Sequence, residues 1–192
     1  MLKPSLLTLI ILLLISCASS APTSYYELAT VTINPISSPS SAHQVIGIGP
    51  TTLPGLLNRK AIVTRNAEHN IQLATTHQWA EPLAENIPRV IARNLSLHQP
   101  GNLFHSYPWT AFGPVNRRIV LEILQFDAQL GQLVIFEAIW SIKDESTQQI
   151  LAQKRTRIER PLKSDHYTEM VGTMSEILGM FSEELSDALL KL

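Results

Sequence analysis

The strongest constraint on the fold is a pair of neighbouring segments in which apolar and polar side chains alternate. The segments span residues 118–127 and 133–143, and a turn over residues 128–132 separates them. In the second segment every other residue is apolar: Val134, Phe136, Ala138, Trp140 and Ile142. Because side chains alternate between the two faces of a strand, this pattern predicts an antiparallel hairpin with one buried face. Residues 150–160 follow as a third strand, and the cations among them favour an exposed face or an edge.

Two segments carry apolar residues at helical spacing and are predicted to cover the buried face. The longer one spans residues 165–190. Its two glycines, Gly172 and Gly179, either permit another backbone to approach the helix closely or are simply tolerated there. The shorter one spans residues 82–97 and contains Pro88, which either kinks the helix or marks the start of its regular part. The sequence therefore predicts an α+β fold, a mainly antiparallel sheet with two amphipathic helices packed on one face.

Shorter strand signals occupy the rest of the chain. Aromatic and β-branched residues predict strands over residues 25–33, 45–48, 62–65 and 70–79. The second of these is expected to end at Pro50, and the last is expected to place Ile71, Leu73 and His77 on one face. Residues 97–115 carry four aromatic residues and three prolines, and the sequence does not predict their conformation.

The amino terminus indicates export and attachment to a membrane. Residues 6–15 are apolar apart from Thr8, and as a helix they would span about 15 Å, half of a bilayer core of about 30 Å. This length is typical of a secretory signal. The residues that follow, Leu14-Ile15-Ser16-Cys17, resemble a bacterial lipobox, whose cysteine becomes a thioether to diacylglycerol. The alternatives are an ordinary signal peptide with an incidental cysteine and a cytosolic protein with an apolar start.

Lipidation of Cys17 divides the chain into three predicted parts. Residues 1–16 are the signal peptide, residues 17–24 are the lipidated N-terminus and its tether, and residues 25–192 are a single periplasmic domain. At about 3.4 Å per extended residue, the tether keeps that domain within about 25 Å of the lipid surface. Two or more acyl chains give lasting attachment, since each buried methylene contributes about 0.8 kcal/mol. In enterobacterial lipoproteins an aspartate after the cysteine signals inner-membrane retention, so Ala18 indicates the outer membrane.

Composition and motifs exclude several classes of function. The net charge is −1 and no basic stripe occurs, which argues against nucleic-acid binding. A single cysteine excludes an internal disulfide and a thiolate metal cage. The histidines lack metal-site spacing, and the chain has neither G-x-x-x-x-G-K-[ST] nor G-x-S-x-G. We therefore predict no catalytic residue, metal or cofactor. The rival hypothesis of a periplasmic enzyme requires clustered polar residues with perturbed pKa values.

Five motifs occur in the order and with the spacing of a known family. After the lipobox come SYYEL at residues 24–28, QWAEPLAENIPRVIARNLS at 78–96, the hairpin, and a closing helix that begins DHYTEMV at 165–171. Together they resemble the ABC-type transport auxiliary lipoproteins, or PqiC family, over nearly the whole mature chain. The resemblance implies a non-enzymatic lipoprotein on the periplasmic side of the outer membrane of a Gram-negative bacterium. It also implies an MCE-domain partner, which forms a conduit from the inner membrane, and a role in lipid movement between the two membranes.

Five aromatic residues are candidate contacts with a partner or with lipid. Trp79 precedes the first helix, where a tryptophan also serves as a structural lid on the sheet. The other four lie in the segment 97–115: Phe104, Tyr107, Trp109 and Phe112. Burial of such side chains is harder to arrange in a loop rich in proline and glycine, so an exposed apolar contact is one interpretation and a loop folded back on the core is the other.

The resulting hypothesis is a docking subunit of an MCE-type intermembrane lipid transport system. Its expected partners are the membrane, through the acyl chains, and the conduit protein. Phospholipid and further copies of the chain, arranged as a ring, are additional candidates. The alternative is a structural or assembly lipoprotein of the cell envelope that handles no lipid.

Overall fold

The structure is a computed structural model that describes residues 21–31, 43–67 and 70–192, and it has an α+β fold. Two long helices accompany eight strands. The helices are α1 (Leu83–His98) and α2 (Tyr167–Leu189). The strands are β1 (Ser24–Tyr26), β2 (Val45–Thr52), β3 (Ala61–Ala67), β4 (Asn70–Trp79), β5 (Leu103–Ser106), β6 (Arg117–Gln129), β7 (Leu133–Asp144) and β8 (Ile150–Pro161). A single 3₁₀ turn, Thr110–Phe112, precedes β6.

All eight strands belong to one mixed sheet, which is built around β6. One edge of β6 pairs along its whole length with β7, and β7 pairs with β8, both antiparallel. On its other edge, the first half of β6 pairs with β2 in parallel, and its end pairs with β3. Strand β5 then extends β2 in parallel, β4 is antiparallel to β3, and β1 is parallel to β4. The longest ladders are antiparallel, as the alternation over residues 118–143 predicts.

The hydrophobic core lies between one face of the sheet and the two helices. The Phe136 ring on β7 contacts Phe126 of β6 at 5.1 Å and Phe181 of α2 at 4.9 Å between ring centroids. Burial of one such side chain contributes about 1.5–3 kcal/mol, and all three are fully buried. The helices run in the same direction, because Gln99, just after α1, binds Ser186 near the end of α2. We call this side of the sheet the helix face.

The opposite side, which we call the open face, carries paired charges. Glu137 of β7 accepts hydrogen bonds from Arg155 Nε at 2.7 Å and from Arg157 Nη1 at 3.1 Å, both across the ladder to β8. Arg65 of β3 donates to Asp127 of β6 at 2.6 Å. The prediction that the cations of the third strand suit an exposed face or an edge is confirmed, since among the described strands β8 pairs with β7 alone.

The prediction of a strand over residues 25–33 is wrong beyond Tyr26, and residues 32 and 33 lie outside the described residues. The chain instead leaves the sheet and runs between the helices. The Leu28 N–H donates to Asn86 Oδ1 of α1 at 2.9 Å, and the Ala29 N–H donates to Ser175 Oγ of α2 at 3.1 Å. Side chains of the helices thus replace a neighbouring strand as hydrogen-bond partners of this backbone.

One further expectation needs correction, and the structure answers two questions that the sequence leaves open. Strand β2 does not end at Pro50, because pairing with β6 resumes at Thr51. Helix α1 begins at Leu83 and contains Pro88 in its interior, with Pro82 as its N-cap. The segment 97–115 holds regular structure, namely β5 and the 3₁₀ turn.

Candidate docking surface

The strand registers define two ends of the sheet. At one end β6 finishes, and there Thr64 of β3 pairs with Ala128. Strand β1 is parallel to β4, so the chain enters β1 from the side of the β3–β4 hairpin. We call this the tether end. At the far end β6 begins, and Arg117 pairs with Asp144 beside the β7–β8 turn. Between the two ends β6 spans about 40 Å at roughly 3.3 Å per residue.

The aromatic loop, which we define as residues 107–112, is held against the half of the sheet nearer the far end. A methyl group at Gly47 of β2 would lie 2.9 Å from three ring carbons of Trp109. At Gly49, where φ is +126°, a methyl group would lie 2.7 Å from Tyr107 Cβ. Two glycines therefore leave the space that the loop occupies. Their neighbour Ile48 is fully buried on the helix face, so the loop lies on the open face.

The aromatic loop presents apolar side chains to solvent in a fixed arrangement. The Tyr107 and Trp109 rings meet edge to face at 5.4 Å, and the Phe112 ring stacks on His105 of β5 at 4.3 Å. Even so, Tyr107 is 56% exposed and Phe112 is 66% exposed. Phe104 differs, because it packs against the hydrophobic core from β5. The loop combines a supported backbone with unburied aromatic surface, which is typical of a contact site.

A cleft of about 590 Å³ lies beside the loop. Its lining is formed by Gln44, Trp109, residues 114–117 and the β7–β8 turn over 144–146. In that turn the Ser146 hydroxyl and the Thr147 N–H donate to the Asp144 carboxylate and lower its pKa to about 2. Asp144 is therefore ionised at physiological pH and holds the turn closed.

Trp79 lies apart from this surface. Its side chain is 5% exposed and belongs to the hydrophobic core at the start of α1, so it offers little area to a partner. The structure brings Tyr107, Trp109 and Phe112 together and leaves Phe104 and Trp79 largely inside the fold. Cys17, the predicted lipidation site, lies outside the described residues.

Near the tether end, a second aromatic cluster joins the sheet to α2. The His77 ring stacks on Tyr167 at 4.0 Å, and its Nδ1 lies 2.8 Å from the Tyr26 hydroxyl. His77 thus faces the helices, whereas the sequence pattern placed it on the same face as Ile71 and Leu73. The register between β3 and β4 shifts between Ala61 and Val63, and this irregularity changes the face.

The carboxyl groups with perturbed pKa values do not form a common site. Hydrogen bonds from Arg155 lower the pKa of Glu137, and the Ser164 hydroxyl lowers that of Glu169. Glu137 and Asp144 lie seven residues apart on β7, and Glu169 lies on α2. Each stays ionised rather than poised to exchange a proton. Within the described ranges, no group of three or more histidine, cysteine or acidic side chains is placed to hold a metal ion. In the same part of the chain, no helix is long and apolar enough to cross a bilayer.

Comparisons with known proteins identify the family of this chain. The family model for the ABC-type transport auxiliary lipoprotein component matches residues 26–186. The chain belongs to this family. It is a family of transport components rather than of enzymes, and the resemblance inferred from the five motifs is confirmed.

Among its relatives is the intermembrane transport lipoprotein PqiC of Escherichia coli, which is 25% identical over 183 residues, covering 95% of this chain and 93% of the relative. The PqiC of Shigella flexneri matches to the same extent. Two crystal structures share the fold. An uncharacterized protein has a TM-score of 0.74 at 18% identity, covering 88% of this chain and 99% of its own. A protein from Xanthomonas campestris has a TM-score of 0.70 at 14% identity, covering 84% and 92%.

The sequence indicates the aromatic residues of the loop, but it does not indicate that the loop packs against β2. The signal was present as Gly47 and Gly49, two glycines with alternate spacing inside an apolar strand. Such glycines mark a close approach by another part of the chain. The partner of each lies about sixty residues away, and nothing in the local pattern identifies it.

Proposed function

We propose that this protein is an outer-membrane lipoprotein that acts as the docking subunit of an MCE-type intermembrane lipid transport system. Residues 1–16 are a signal peptide, Cys17 is acylated, residues 17–24 are the tether, and residues 25–192 form the periplasmic domain. The observation that carries the proposal is the position of the aromatic loop. It lies in the half of the sheet remote from the end at which the tether enters β1.

The relative positions of tether and loop favour a protein partner over lipid for Tyr107, Trp109 and Phe112. An acyl anchor at Cys17 holds the tether end of the sheet near the outer membrane. A sheet about 40 Å long then carries the aromatic loop away from that membrane, toward the periplasm. A conduit that arrives from the inner membrane meets this half of the domain first. Exposed aromatic side chains on a supported backbone are suited to bind it, since such residues often dominate interface energies.

Family membership supports the transport role, because the Escherichia coli relative is named an intermembrane transport lipoprotein. In the proposed assembly several copies of the chain surround the conduit as a ring, and phospholipid passes through the assembly.

Site-specific crosslinking in cells tests the docking role. A photoreactive amino acid replaces Phe112, and the matched control carries it at Met180, an exposed apolar residue of α2. We expect a crosslink to the MCE-domain protein from position 112 and none from position 180. Equal crosslinking from both positions, or none from either, contradicts docking through the aromatic loop.

Lipid extraction separates this proposal from a structural lipoprotein that handles no lipid. We expect phospholipid to copurify with the complex of the protein and the conduit, and we expect deletion of the protein to impair lipid transfer between the membranes. Normal transfer in the deletion strain, with a weakened envelope, favours the structural role.

A further inference from the structure

Three exposed apolar side chains lie near the tether end, on the other half of the sheet from the aromatic loop. Tyr25 is 66% exposed, Leu73 is 48% exposed and Ile71 is 38% exposed. Single apolar side chains are common on protein surfaces and need no explanation. These three share one edge of the sheet, because β1 pairs with β4. We call them the tether-end patch.

Strand pairing places Ile71 and Leu73 on the open face. Ile71 pairs with Arg65, whose guanidinium binds Asp127 at 2.6 Å. Both sequence neighbours of Asp127 on β6 belong to the hydrophobic core, so Asp127 and Arg65 point to the open face. Leu73, two residues beyond Ile71 and in the same register, points the same way.

Tyr25 joins them from the edge strand. Its neighbour Tyr26 faces the helices, where its ring lies 6.3 Å from that of Tyr167. Because side chains alternate along a strand, Tyr25 points to the open face. Its exposure shows that none of the described elements covers it.

The length of the tether connects this patch with lipid. Ala21 is exposed and precedes β1 on the side of the β3–β4 hairpin. Cys17 lies four residues earlier, at most about 14 Å of extended chain. If Cys17 is acylated, as the proposed function requires, the bilayer surface therefore lies within reach of the edge that carries the patch.

We propose that the tether-end patch rests on the bilayer that holds the acyl chains and fixes the orientation of the domain. Three side chains bind a membrane weakly by themselves. The anchor changes this, because a short tether raises the effective concentration of the two surfaces to the order of millimolar. Tyrosine is favoured at the membrane interface, where its ring meets acyl chains and its hydroxyl meets water. Ile71 and Leu73 add aliphatic surface beside it. The contact holds the tether end of the sheet at the membrane, and the aromatic loop lies in the other half of the sheet.

Spin labelling of the acylated full-length protein tests the contact. Cys17 is the only cysteine, so in the acylated protein an introduced cysteine is the sole thiol that takes the label. The test variant is Leu73→Cys, and the control is Leu103→Cys, an exposed leucine near the far end of the sheet. Each is reconstituted in vesicles of phosphatidylethanolamine and phosphatidylglycerol. Collision rates with oxygen and with a water-soluble nickel chelate then report whether the label sits in lipid.

We expect the ratio of oxygen to nickel collisions to rise several-fold on vesicles for the label at position 73 and to stay at its aqueous value at position 103. In a Tyr25→Cys protein, the added pair Ile71→Ser and Leu73→Ser should return the label at position 25 to its aqueous value. Aqueous values at both 73 and 103, with mass spectrometry showing the acyl chains, overturn the contact and leave the docking role standing. Labelling of the parent protein at Cys17 overturns the lipid anchor and the contact together.

Discussion

Gly47→Ala tests whether β2 holds the aromatic loop in place. The added methyl group lies 2.9 Å from three ring carbons of Trp109, whereas carbon atoms in contact prefer about 3.5–4.0 Å. The indole ring must therefore move by roughly 0.5–1 Å or more. Gly47 is not in the left-handed region of backbone conformation, so the cost is steric and does not come from backbone strain.

The expected magnitude follows from this overlap. Overpacking by one methyl group destabilises a protein by about 1–3 kcal/mol. In a Trp109→Ala background the ring is absent, and Gly47→Ala should then be neutral or stabilising by about 0.5 kcal/mol, since glycine is unfavourable within strands. The double-mutant cycle therefore predicts a coupling of about 1–3 kcal/mol between the two positions.

Urea unfolding followed by circular dichroism measures the free energy of unfolding of the four proteins in the cycle. A domain of this size loses about 2–4 °C in melting temperature per kcal/mol, so thermal unfolding checks the result independently. An equal cost of Gly47→Ala in both backgrounds, within about 0.5 kcal/mol, would refute the contact and with it the account of how the loop is supported.

Two more predictions concern α2 and the open face. Gly179→Ala should destabilise the protein, because the new methyl group would overlap the Val31 side chain. At Gly172 a methyl group meets no atom of the described residues within 4 Å, so Gly172→Ala should stabilise the protein by up to about 1 kcal/mol in thermal or urea unfolding. Opposite signs at Gly172 and Gly179 support the contact with the N-terminal segment, and a shared sign contradicts it. Glu137→Gln should lower stability at neutral pH. The hydrogen bond from Arg155 lowers the pKa of Glu137, so the stabilisation exists above the unfolded value of about 4.3 and is lost as the pH falls below it. The free energies of unfolding of wild type and variant should therefore converge in acid, and a constant difference from pH 7 to pH 3 would contradict this origin.

The sequence predicts best those elements in which one apolar period repeats over many residues. Strand β7 and helix α2 match their predicted ranges within two residues, because each repeats one apolar period along its length. Strands β6 and β8, which flank β7, also match their predicted ranges within a few residues. One face of every such element must be buried, and packing of those faces fixes the α+β fold. The parallel ladders at β1, β2 and β5 carry no comparable local signal, since their partners are distant in sequence.

Secondary-structure propensity predicts a strand wrongly where the backbone forms its hydrogen bonds with partners outside the sheet. Residues 27–31 have the β-branched composition of a strand, yet Leu28 and Ala29 bind Asn86 and Ser175 on the two helices. Both arrangements satisfy the backbone N–H groups, and composition does not distinguish them. The same segment settles the question of the two α2 glycines, because Val31 occupies the space at Gly179 and leaves Gly172 open.

The relation between the anchor and the aromatic loop depends on two parallel pairings, Ser24 with His77 and Ile46 with Arg117. The first sets the end of the sheet at which the tether enters, and the second sets the end near which Gly47 receives the loop. Neither residue type nor spacing predicts a pairing across fifty or seventy residues, so the candidate side chains are visible in the sequence while their separation is not. That separation is what the proposed docking role needs. Because one continuous sheet joins the two sites, a longer tether would change the height of the domain above the membrane, while the distance between tether and loop would stay fixed by the strands.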